Sequence, residues 1–397
     1  MQAQIVTILL DELNCCSGPF EFERCRLSFR RLALNAKFLT ARPTGVHRVA
    51  EQLVRQLSKH ADELAELFPE RPCLIAPTNL KKVALDVFAL ERGGKFRGQL
   101  WEQLDLPRLA WSDLLLNLCN LGPMASRNSI TMIHDAQVFI TPDSYSWAFA
   151  TWYRNVLPVL GRRHARILAV SEFSANELAR FGVAPRDHIS VIPNGVDHLL
   201  AQESESEIVS RLNLETRKFV VGLANVQAHK NVGLLLKAFA SPTLADLKLV
   251  LIGTAGRKAF ETLGHSVPAN VVFAGRTSDG ELRALLEVAL CVGFPSTTEG
   301  FGLPPLEGML LGCPAVVSPC GALTEIGSTN AIFARPNEPQ DWVGAIRQLY
   351  DDPNHWENYS RAGRARAGFF TWQRAGQKLI DVIRDVTTML SRQPHQP

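Results

Sequence analysis

The chain alternates short β-rich runs with amphipathic helical stretches in two successive series, and this alternation limits the possible folds more than any other feature. Strands of the first series are predicted at 37–40, 73–76, 114–118, 130–133, 167–170 and 189–192. Strands of the second series are predicted at 219–223, 247–252, 271–274, 290–294, 315–318 and 331–334. Repeated strand–helix units form parallel sheets with helices on both faces. The sequence therefore predicts an α/β protein with two Rossmann-like, doubly wound domains that face each other across a cleft.

A polar segment separates the two series, because glutamates alternate with serines after residue 201 and the strand–helix rhythm stops. We interpret residues 201–215 as a linker. The other predicted divisions are an N-terminal arm or extension over 1–35, a first domain over 36–200, a second domain over 216–375, and a C-terminal helix and tail over 376–397. A chain of 397 residues is long enough for two domains of about 150 to 200 residues each.

Composition disfavours several other classes of protein. The chain is 46% hydrophobic and 20% charged, which is typical of a soluble globular protein rather than a disordered one. It has no run of about 18 apolar residues, as a membrane-spanning helix would require, and its start lacks the basic region of a signal peptide. The eight cysteines show no CxxC or metal-ligand spacing, so we expect reduced thiols in a cytoplasmic protein.

The charge of the first domain is unevenly distributed. Residues 24–50 hold seven basic side chains and no acidic one. These are Arg24, Arg26, Arg30, Arg31, Lys37, Arg42 and Arg48. Such a run is usually a solvated face. It could also contact phosphates or an anionic membrane surface, where each basic residue contributes about 1 kcal/mol.

The stretch STTEGFGLPPLEGMLLG over 296–312 places two carboxylates around a glycine-rich turn at the start of an apolar helix. The helix is predicted to begin at Pro304 or Pro305, since proline is tolerated in the first turn. An acid at position 307 could then simply complement the helix dipole. Glu299 has no such explanation, because it precedes the turn. Two carboxylates beside free backbone N–H groups could instead bind the vicinal hydroxyls of a nucleotide sugar.

Three further segments carry groups suited to the same ligand. Lys230 follows the first strand of the second series and could neutralise a diphosphate, although a lone lysine at a helix start is more often solvated. His134 ends an apolar strand and could hydrogen-bond a sugar hydroxyl, or could equally be a structural histidine. Gly45 opens an amphipathic helix whose N-terminus could receive an anionic or hydroxylic group.

Several catalytic sequence motifs are absent. The chain contains no GxGxxG, GxxxxGK[ST], GxSxG or HExxH motif, and no DxD pair of the kind that holds a metal ion. The dehydrogenase, NTPase, hydrolase and metal-dependent classes therefore lose support. We expect no cofactor, no metal ion and no nucleic-acid partner.

Taken together, these segments resemble the retaining glycosyltransferases of family 4, which have the GT-B architecture of two Rossmann-like domains. The resemblance covers roughly residues 36–375 and depends on the order and spacing of several segments. They are EGFGLPPLEG at 299–308, VIPNGVD at 191–197, ANVQAHKN at 224–231, GALTE at 321–325, and FAGRT with DGEL at 273–282. The first domain would then bind the acceptor, and the second would bind the nucleotide-sugar donor.

The resemblance also implies a role for each site residue. Glu307 would hold the ribose hydroxyls, and Glu299 would hold the donor hexose. Lys230 would neutralise the leaving diphosphate, and His134 would contact the sugar near the reacting carbon. The catalytic residues would be His134, Lys230 and Glu299, the donor-binding residues Asn194, Asn225, Arg276, Gly300, Phe301, Gly302, Leu303 and Glu307, and the residues on the acceptor and phosphate side Gly45 and Arg48. The implied reaction is metal-independent and retaining, with fixed positive charge that stabilises the departing phosphate.

One position departs from the family pattern. Many members have an arginine five residues before the loop lysine, and Asn225 occupies that position here. The departure leaves open which residue supplies a second positive charge. Arg276 and Arg48 are the two candidates.

Three segments are similar to mannosyltransferases of exopolysaccharide or O-antigen synthesis. They are TGVHRV at 44–49, WEQ at 101–103, and IHDA with PDS within 133–144. This similarity implies GDP-mannose as the donor and a growing glycan as the acceptor. A polyprenyl-linked acceptor would bring residues 24–50 to the inner face of a membrane. The alternatives are a transferase that uses a UDP-sugar, and a non-catalytic protein of this fold that binds nucleotide sugar or glycan.

Overall fold

The computed structural model describes residues 29–41, 44–80 and 85–392, and within them the chain forms two parallel sheets. The strands of the first sheet are β1 (Leu32–Asn35), β2 (Cys73–Pro77), β3 (Ala89–Gly93), β4 (Leu114–Asn117), β5 (Ser129–Met132), β6 (Arg166–Ala169) and β7 (Ile189–Val191). The strands of the second are β8 (Phe219–Leu223), β9 (Lys248–Ile252), β10 (Val271–Gly275), β11 (Cys291–Phe294), β12 (Ala315–Val317) and β13 (Ile332–Phe333). Two Rossmann-like units were predicted, and both are present.

Helices connect the strands and cover both sheets. In the first half they are α1 (Gly45–Lys59), α2 (Ala61–Leu67), α3 (Gly98–Leu100), α4 (Leu106–Leu109), α5 (Gln137–Ile140), α6 (Trp147–Arg163) and α7 (Glu172–Arg180), with a π-helical turn at Trp101–Asp105. In the second half they are α8 (Glu207–Arg211), α9 (Val232–Phe239), α10 (Arg257–Thr262), α11 (Asp279–Val288), α12 (Leu303–Leu310), α13 (Leu323–Gly327), α14 (Pro339–Asp351), α15 (Pro353–Ala367) and α16 (Trp372–Arg392). No described helix is both long enough and apolar enough to cross a membrane.

The order of the strands determines where a ligand can bind. The first sheet runs β3-β2-β1-β4-β5-β6-β7 and the second β10-β9-β8-β11-β12-β13, and neighbouring strands are parallel in both sheets. In both sheets the order reverses beside the first strand, between β1 and β4 and between β8 and β11. Ligands of open α/β sheets bind beyond the carboxyl ends of the strands at this reversal point.

Helix α1 shows why the predicted pattern produces this packing. Its apolar residues recur at helical spacing, and Val49, Leu53 and Leu57 are each at most 1% exposed. The strands β1, β2 and β4 are buried along their whole length. Helix and strands therefore share one core, as expected for parallel strands that are covered on both faces.

Two strands of the first sheet differ from the prediction. Residues 37–40, predicted as a strand, belong to a 3₁₀ turn over Ala36–Thr40, and β1 precedes this turn inside the segment interpreted as an arm. The strand β3 was not predicted, because its residues are largely exposed and lack an apolar pattern. The buried strand β1 does not alternate apolar with polar residues, and the edge strand β3 has no regular apolar pattern. Both therefore give weak local signals of a strand. Residues 1–28 of the predicted arm lie outside the described residues.

The end of the chain returns to the first domain. Helix α16 begins at Trp372, four residues before the predicted division at residue 376, and packs against α1 and α2. Arg384 Nη2 lies 2.7 Å from Glu63 Oε2 of α2. The chain therefore crosses between the domains twice, after β7 and before α16. The segment 201–215, interpreted as a linker, contains the short helix α8 with Ile208 buried.

The described part of the basic segment 24–50 is not a free cationic surface. Each of its four arginines and lysines within the described residues pairs with an acid from elsewhere in the chain. The pairs are Arg30–Asp113, Arg31–Asp113, Arg31–Glu91, Lys37–Glu102 and Arg48–Asp279. Ion pairs with acids that are distant in sequence explain this run, so these side chains give no support to the predicted contact with phosphates or an anionic membrane. Arg24, Arg26 and Arg42 lie outside the described residues.

We expect Asp113→Ala to lower the free energy of unfolding by about 3 kcal/mol, because it removes a partner from a buried arginine. The Asp113 side chain is fully buried and that of Arg31 is 8% exposed. The measurement is urea denaturation followed by circular dichroism. Asp246→Ala is a matched control, since it also removes one of two acidic partners, but from Arg347, whose side chain is 31% exposed. Equal shifts of the unfolding midpoint in both variants would contradict the prediction.

Candidate functional site

A cavity of about 520 Å³ lies between the two domains, where the reversal points of both sheets face each other. It brings together most of the residues that the sequence singled out. The predicted residues in its lining are Gly45, Arg48, His134, Asn194, Asn225, Lys230, Glu299, Gly300, Phe301, Gly302, Leu303 and Glu307. Arg276 is the exception. It is exposed and does not belong to the lining, so its predicted role as the second positive charge gains no support from the cavity.

The turn before α12 is built on glycine at two positions. Gly302 has a φ of +109° and caps the helix, and a Cβ there would lie 2.6 Å from Leu323 Cδ2. At Gly300 a Cβ would lie 2.3 Å from the carbonyl oxygen of His134 in the first domain. Gly302 permits a backbone conformation that other residues rarely adopt. Gly300 permits the close approach of the two domains.

The helix α12 begins at Leu303, one residue before the predicted proline start. Pro304 and Pro305 follow, and neither has an N–H group. The amide of Leu303 therefore remains available at the N-terminus, and this residue lines the cavity. The helix offers a partial positive charge here but few N–H donors.

Glu307 is the fifth residue of α12, so it lies beyond the first turn of the helix. The alternative explanation, an acid that complements the helix dipole, therefore fails, because that effect falls off within the first turn. The residue is only 6% exposed and its side chain borders the cavity. Its Oε1 atom lies 3.3 Å from His198 Nε2. A buried carboxylate in this position needs another reason, and a ligand supplies one.

Lys230 and Glu299 form an ion pair across the floor of the cavity. Lys230 Nζ donates to Glu299 Oε1 at 2.7 Å, and the two side chains are 17% and 9% exposed. The lysine comes from the loop after β8, and the glutamate follows β11, its neighbour in the sheet. The pair therefore lies at the reversal point of the second sheet. In this pair the positive charge of Lys230 and the negative charge of Glu299 neutralise each other.

Asn225 stabilises the loop that carries Lys230. Its Oδ1 accepts from the backbone N–H of Gln227 at 2.8 Å, and its Nδ2 donates to the side chain of Gln227. Asn231 has a left-handed backbone, and its Nδ2 donates to the carbonyls of Pro295 and Pro336. The loop is thus fixed by asparagine side chains. At the position where the resemblance implies an arginine, the chain therefore has a turn-forming residue and not another charge.

Arg48, the other candidate for a second positive charge, lies in the lining but is already paired. Its guanidinium makes two hydrogen bonds of 2.6 Å to the Asp279 carboxylate, which joins α1 of the first domain to α11 of the second. Burial raises the pKa of Asp279, but the bonds from Arg48 outweigh it and lower that pKa. The arginine therefore connects the domains at the edge of the cavity.

His134 lies at the end of β5 and is 6% exposed. Its Nε2 lies 2.9 Å from the carbonyl oxygen of Leu118, so this nitrogen carries the proton and donates. Burial lowers the pKa of His134 to about 4, against the opposite effect of that hydrogen bond. The ring is therefore neutral near pH 7, and its Nδ1 can accept a proton or a hydroxyl hydrogen.

Sequence reasoning missed several residues of the cavity. Asp135, Gln137 and Gln227 line it without having been predicted as site residues. Burial raises the pKa of Asp135, and the nearby Glu299 adds to this rise, while the Gln137 amide opposes it. Asp135 follows His134 directly, so its position at a strand end was the available signal. The signal in the sequence for Gln137 was weaker. Its side chain donates a hydrogen bond to the carbonyl of Thr298 in the other domain, and this contact joins residues that are far apart in sequence.

The described residues contain no group of three or more His, Cys, Asp or Glu side chains arranged to hold a metal ion. Two cations border the cavity and each is paired with an acid, while Asp135 and Glu307 are further carboxylates in the lining. Lys230–Glu299 and Arg48–Asp279 are the two pairs.

Comparison with known proteins gives the same assignment for both halves of the chain. Residues 204–366 match the family model described as "Glycosyl transferases group 1", and residues 43–198 match "Glycosyltransferase Family 4". The MMP alpha-(1->4)-mannosyltransferase of Mycolicibacterium hassiacum is 31% identical over 291 residues, which cover 68% of this chain and 67% of that protein. The O-antigen chain mannosyltransferase RfbU of Salmonella typhimurium is 26% identical over 242 residues, which cover 59% of this chain. The match spans 65% of RfbU.

A solved structure has the same fold at lower sequence identity. HepE of Anabaena, in complex with UDP and glucose, superposes with a TM-score of 0.67 at 17% identity, covering 89% of this chain and 99% of HepE. The chain therefore belongs to the group 1 and family 4 glycosyl transferases, and its two facing Rossmann-like domains form a GT-B fold.

Proposed function

We propose that the protein is a retaining hexosyltransferase that moves mannose from GDP-mannose to a growing glycan. The observation that carries this proposal is the set of groups around one cavity. Lys230 and Glu299 pair at its floor, and Glu307, the fifth residue of α12, also lines it. A nucleotide sugar has vicinal hydroxyls on its ribose and on its hexose, and a diphosphate between the two sugars. The cavity offers two carboxylates for the hydroxyls and a cation for the diphosphate.

Donor binding would exchange the partners of the existing ion pair. The diphosphate would take Lys230, which now donates to Glu299 at 2.7 Å. The Glu299 carboxylate, freed from the lysine, could then accept hydrogen bonds from two hexose hydroxyls. Charge-assisted hydrogen bonds of this kind are roughly twice as strong as neutral ones. Glu307 would accept the ribose hydroxyls in the same way.

The transfer step follows from the position of the lysine. The bond between the anomeric carbon and the phosphate oxygen breaks, and the acceptor oxygen forms a new bond to that carbon on the same face. The proton of the acceptor hydroxyl goes to the departing phosphate. Lys230 and the N-terminus of α12 would stabilise the charge that develops on the phosphate. His134 would contact the sugar through its unprotonated Nδ1.

The choice of donor is supported by the names of two relatives, which are both mannosyltransferases. One of them acts on the O-antigen chain, which supports a glycan acceptor, free or polyprenyl-linked. UDP in the HepE structure favours the rival donor class, the UDP-sugars. A non-catalytic protein that binds nucleotide sugar is the remaining rival.

A donor panel tests the proposal directly. We expect release of GDP from GDP-mannose in the presence of a mannan oligosaccharide, and little release from UDP-glucose or UDP-galactose. Glu299→Gln keeps the shape of the side chain and removes its charge, so it should lower turnover about a hundredfold or more while the protein still binds GDP. Turnover of a UDP-sugar instead would replace the donor assignment. Donor binding without any turnover would leave the non-catalytic alternative.

A second prediction concerns metal ions. Because Lys230 and the helix N-terminus would supply the positive charge, we expect turnover to persist in excess EDTA. Lys230→Ala should then lower kcat by about a hundredfold or more, and added Mg²⁺ or Mn²⁺ should not restore it. Loss of wild-type activity in EDTA, recovered by a divalent cation, would contradict this part of the proposal.

A third prediction separates donor binding from domain contact. Gly300→Ala would place a Cβ about 2.3 Å from the carbonyl oxygen of His134, so the first domain must move away from the turn. We expect loss of turnover with little change in the affinity for GDP, since the nucleotide would bind to the second domain. Gly344→Ala, where a Cβ meets nothing within 4 Å, is the control. Normal turnover by Gly300→Ala would show that this approach of the domains is not needed.

A further inference from the structure

The two crossings between the domains lie against each other beside the cavity. The backbone N–H of Val196 donates to the Phe370 carbonyl at 2.9 Å, and that of Trp372 donates to Asp197 Oδ1 at 2.8 Å. A Cβ on Gly195 would lie 2.2 Å from the Trp372 nitrogen. Any change in the angle between the domains must therefore pass through these few residues. We refer to residues 195–198 and 370–372 as the hinge cluster.

One side chain of the hinge cluster reaches the candidate donor site. His198 is 3% exposed in its side chain, and its Nε2 lies 3.3 Å from Glu307 Oε1. On the other side of the ring, Trp372 Nε1 donates to His198 Nδ1 at 3.2 Å. The imidazole thus lies between the start of α16 and the carboxylate of α12. The sequence analysis did not single out this histidine.

The tryptophan determines which imidazole nitrogen carries the proton. An indole N–H can only donate, so His198 Nδ1 must accept, and the proton of the neutral ring is on Nε2. This N–H points toward the Glu307 side of the ring but is not aligned for a hydrogen bond, and it is a buried donor without a hydrogen-bond acceptor. Buried polar groups are rarely left in this state. A small rotation of the Glu307 carboxylate would complete the bond.

We propose that His198 is a positioning residue for the donor. Its Nε2–H holds one oxygen of Glu307 so that the other oxygen faces the ribose hydroxyls of the nucleotide. Trp372 keeps the imidazole in the required tautomer. The inference rests on the proposed role of Glu307 in binding the ribose.

A second contact connects the same cluster to the turn before α12. The rings of Phe301 and Phe370 are 5.7 Å apart, edge to face. Phe301 belongs to the Gly-Phe-Gly turn and lines the cavity, and Phe370 belongs to the hinge cluster. The arrangement of the domains and the geometry of the nucleotide site are therefore connected at two points. Only the contact through His198 involves a polar group that could bind or orient a ligand.

The experiment is a double-mutant cycle on nucleotide affinity, measured by calorimetry with GDP and with UDP. We expect Glu307→Gln and His198→Ala each to weaken binding about tenfold, and the double variant to be no more than about twofold weaker than Glu307→Gln alone. His198→Gln, which can place an N–H near the Nε2 position, should recover part of the affinity. Trp372→Phe, which keeps a ring but removes its N–H, should weaken binding about threefold.

The control is Trp356→Phe. Trp356 is also buried and its Nε1 donates to the carbonyl of Leu290 at 2.7 Å, away from the hinge cluster. If the loss of a buried indole hydrogen bond acted only through stability, both tryptophan variants would lose nucleotide affinity. We expect the affinity to fall in Trp372→Phe and not in Trp356→Phe. Additive effects of His198→Ala and Glu307→Gln would overturn the inference and leave the donor site intact. No effect of Glu307→Gln would overturn the proposed ribose site and the inference together.

Discussion

The ion pair between Lys230 and Glu299 is the interaction on which the arrangement of the site depends. Both groups lie at the carboxyl ends of adjacent strands, where the order of the second sheet reverses. A buried charge without a partner is strongly unfavourable, whereas a paired one can be accommodated. The pair therefore allows the folded protein to keep a cation and a carboxylate at the base of a cleft. It also means that an anionic ligand which binds the lysine releases the carboxylate for a second task.

Much of the fold could be predicted because its determinants are local. All six predicted strands of the second series are present within a few residues of their expected positions, since each is a short apolar run flanked by helical pattern. The start of the first domain could not be predicted in the same way. The strand β1 is buried on both faces and follows two arginines, and the ion pairs of the second arginine are made with Asp113 and Glu91, which are distant in sequence. A run of basic residues looked like a surface because its partners were far along the chain.

The site likewise contains residues that local sequence predicts and residues that depend on contacts distant in sequence. The residues at strand ends and in the glycine turn could be found from the sequence, because position along a strand–helix unit determines which end of the sheet they reach. Arg276, which was predicted, and His198, which was missed, show where position along the chain is not enough. Arg276 belongs to a segment like those of relatives but is exposed here. His198 follows a predicted motif, yet its proximity to Glu307 depends on the crossing of α16 back to the first domain.

The contacts between the domains near the cavity are mostly polar. Ser171 and Ser174 donate to the carbonyl of Gly300, and Glu325 accepts from the backbone N–H groups of Glu172 and Phe173 at the start of α7. Each such hydrogen bond contributes only about 0.5–1.5 kcal/mol net, because water can replace it. Interfaces of this kind favour relative movement of domains. Water can therefore replace these hydrogen bonds when the domains move apart, while His198 of the hinge cluster lies between Glu307 and Trp372, the first residue of α16.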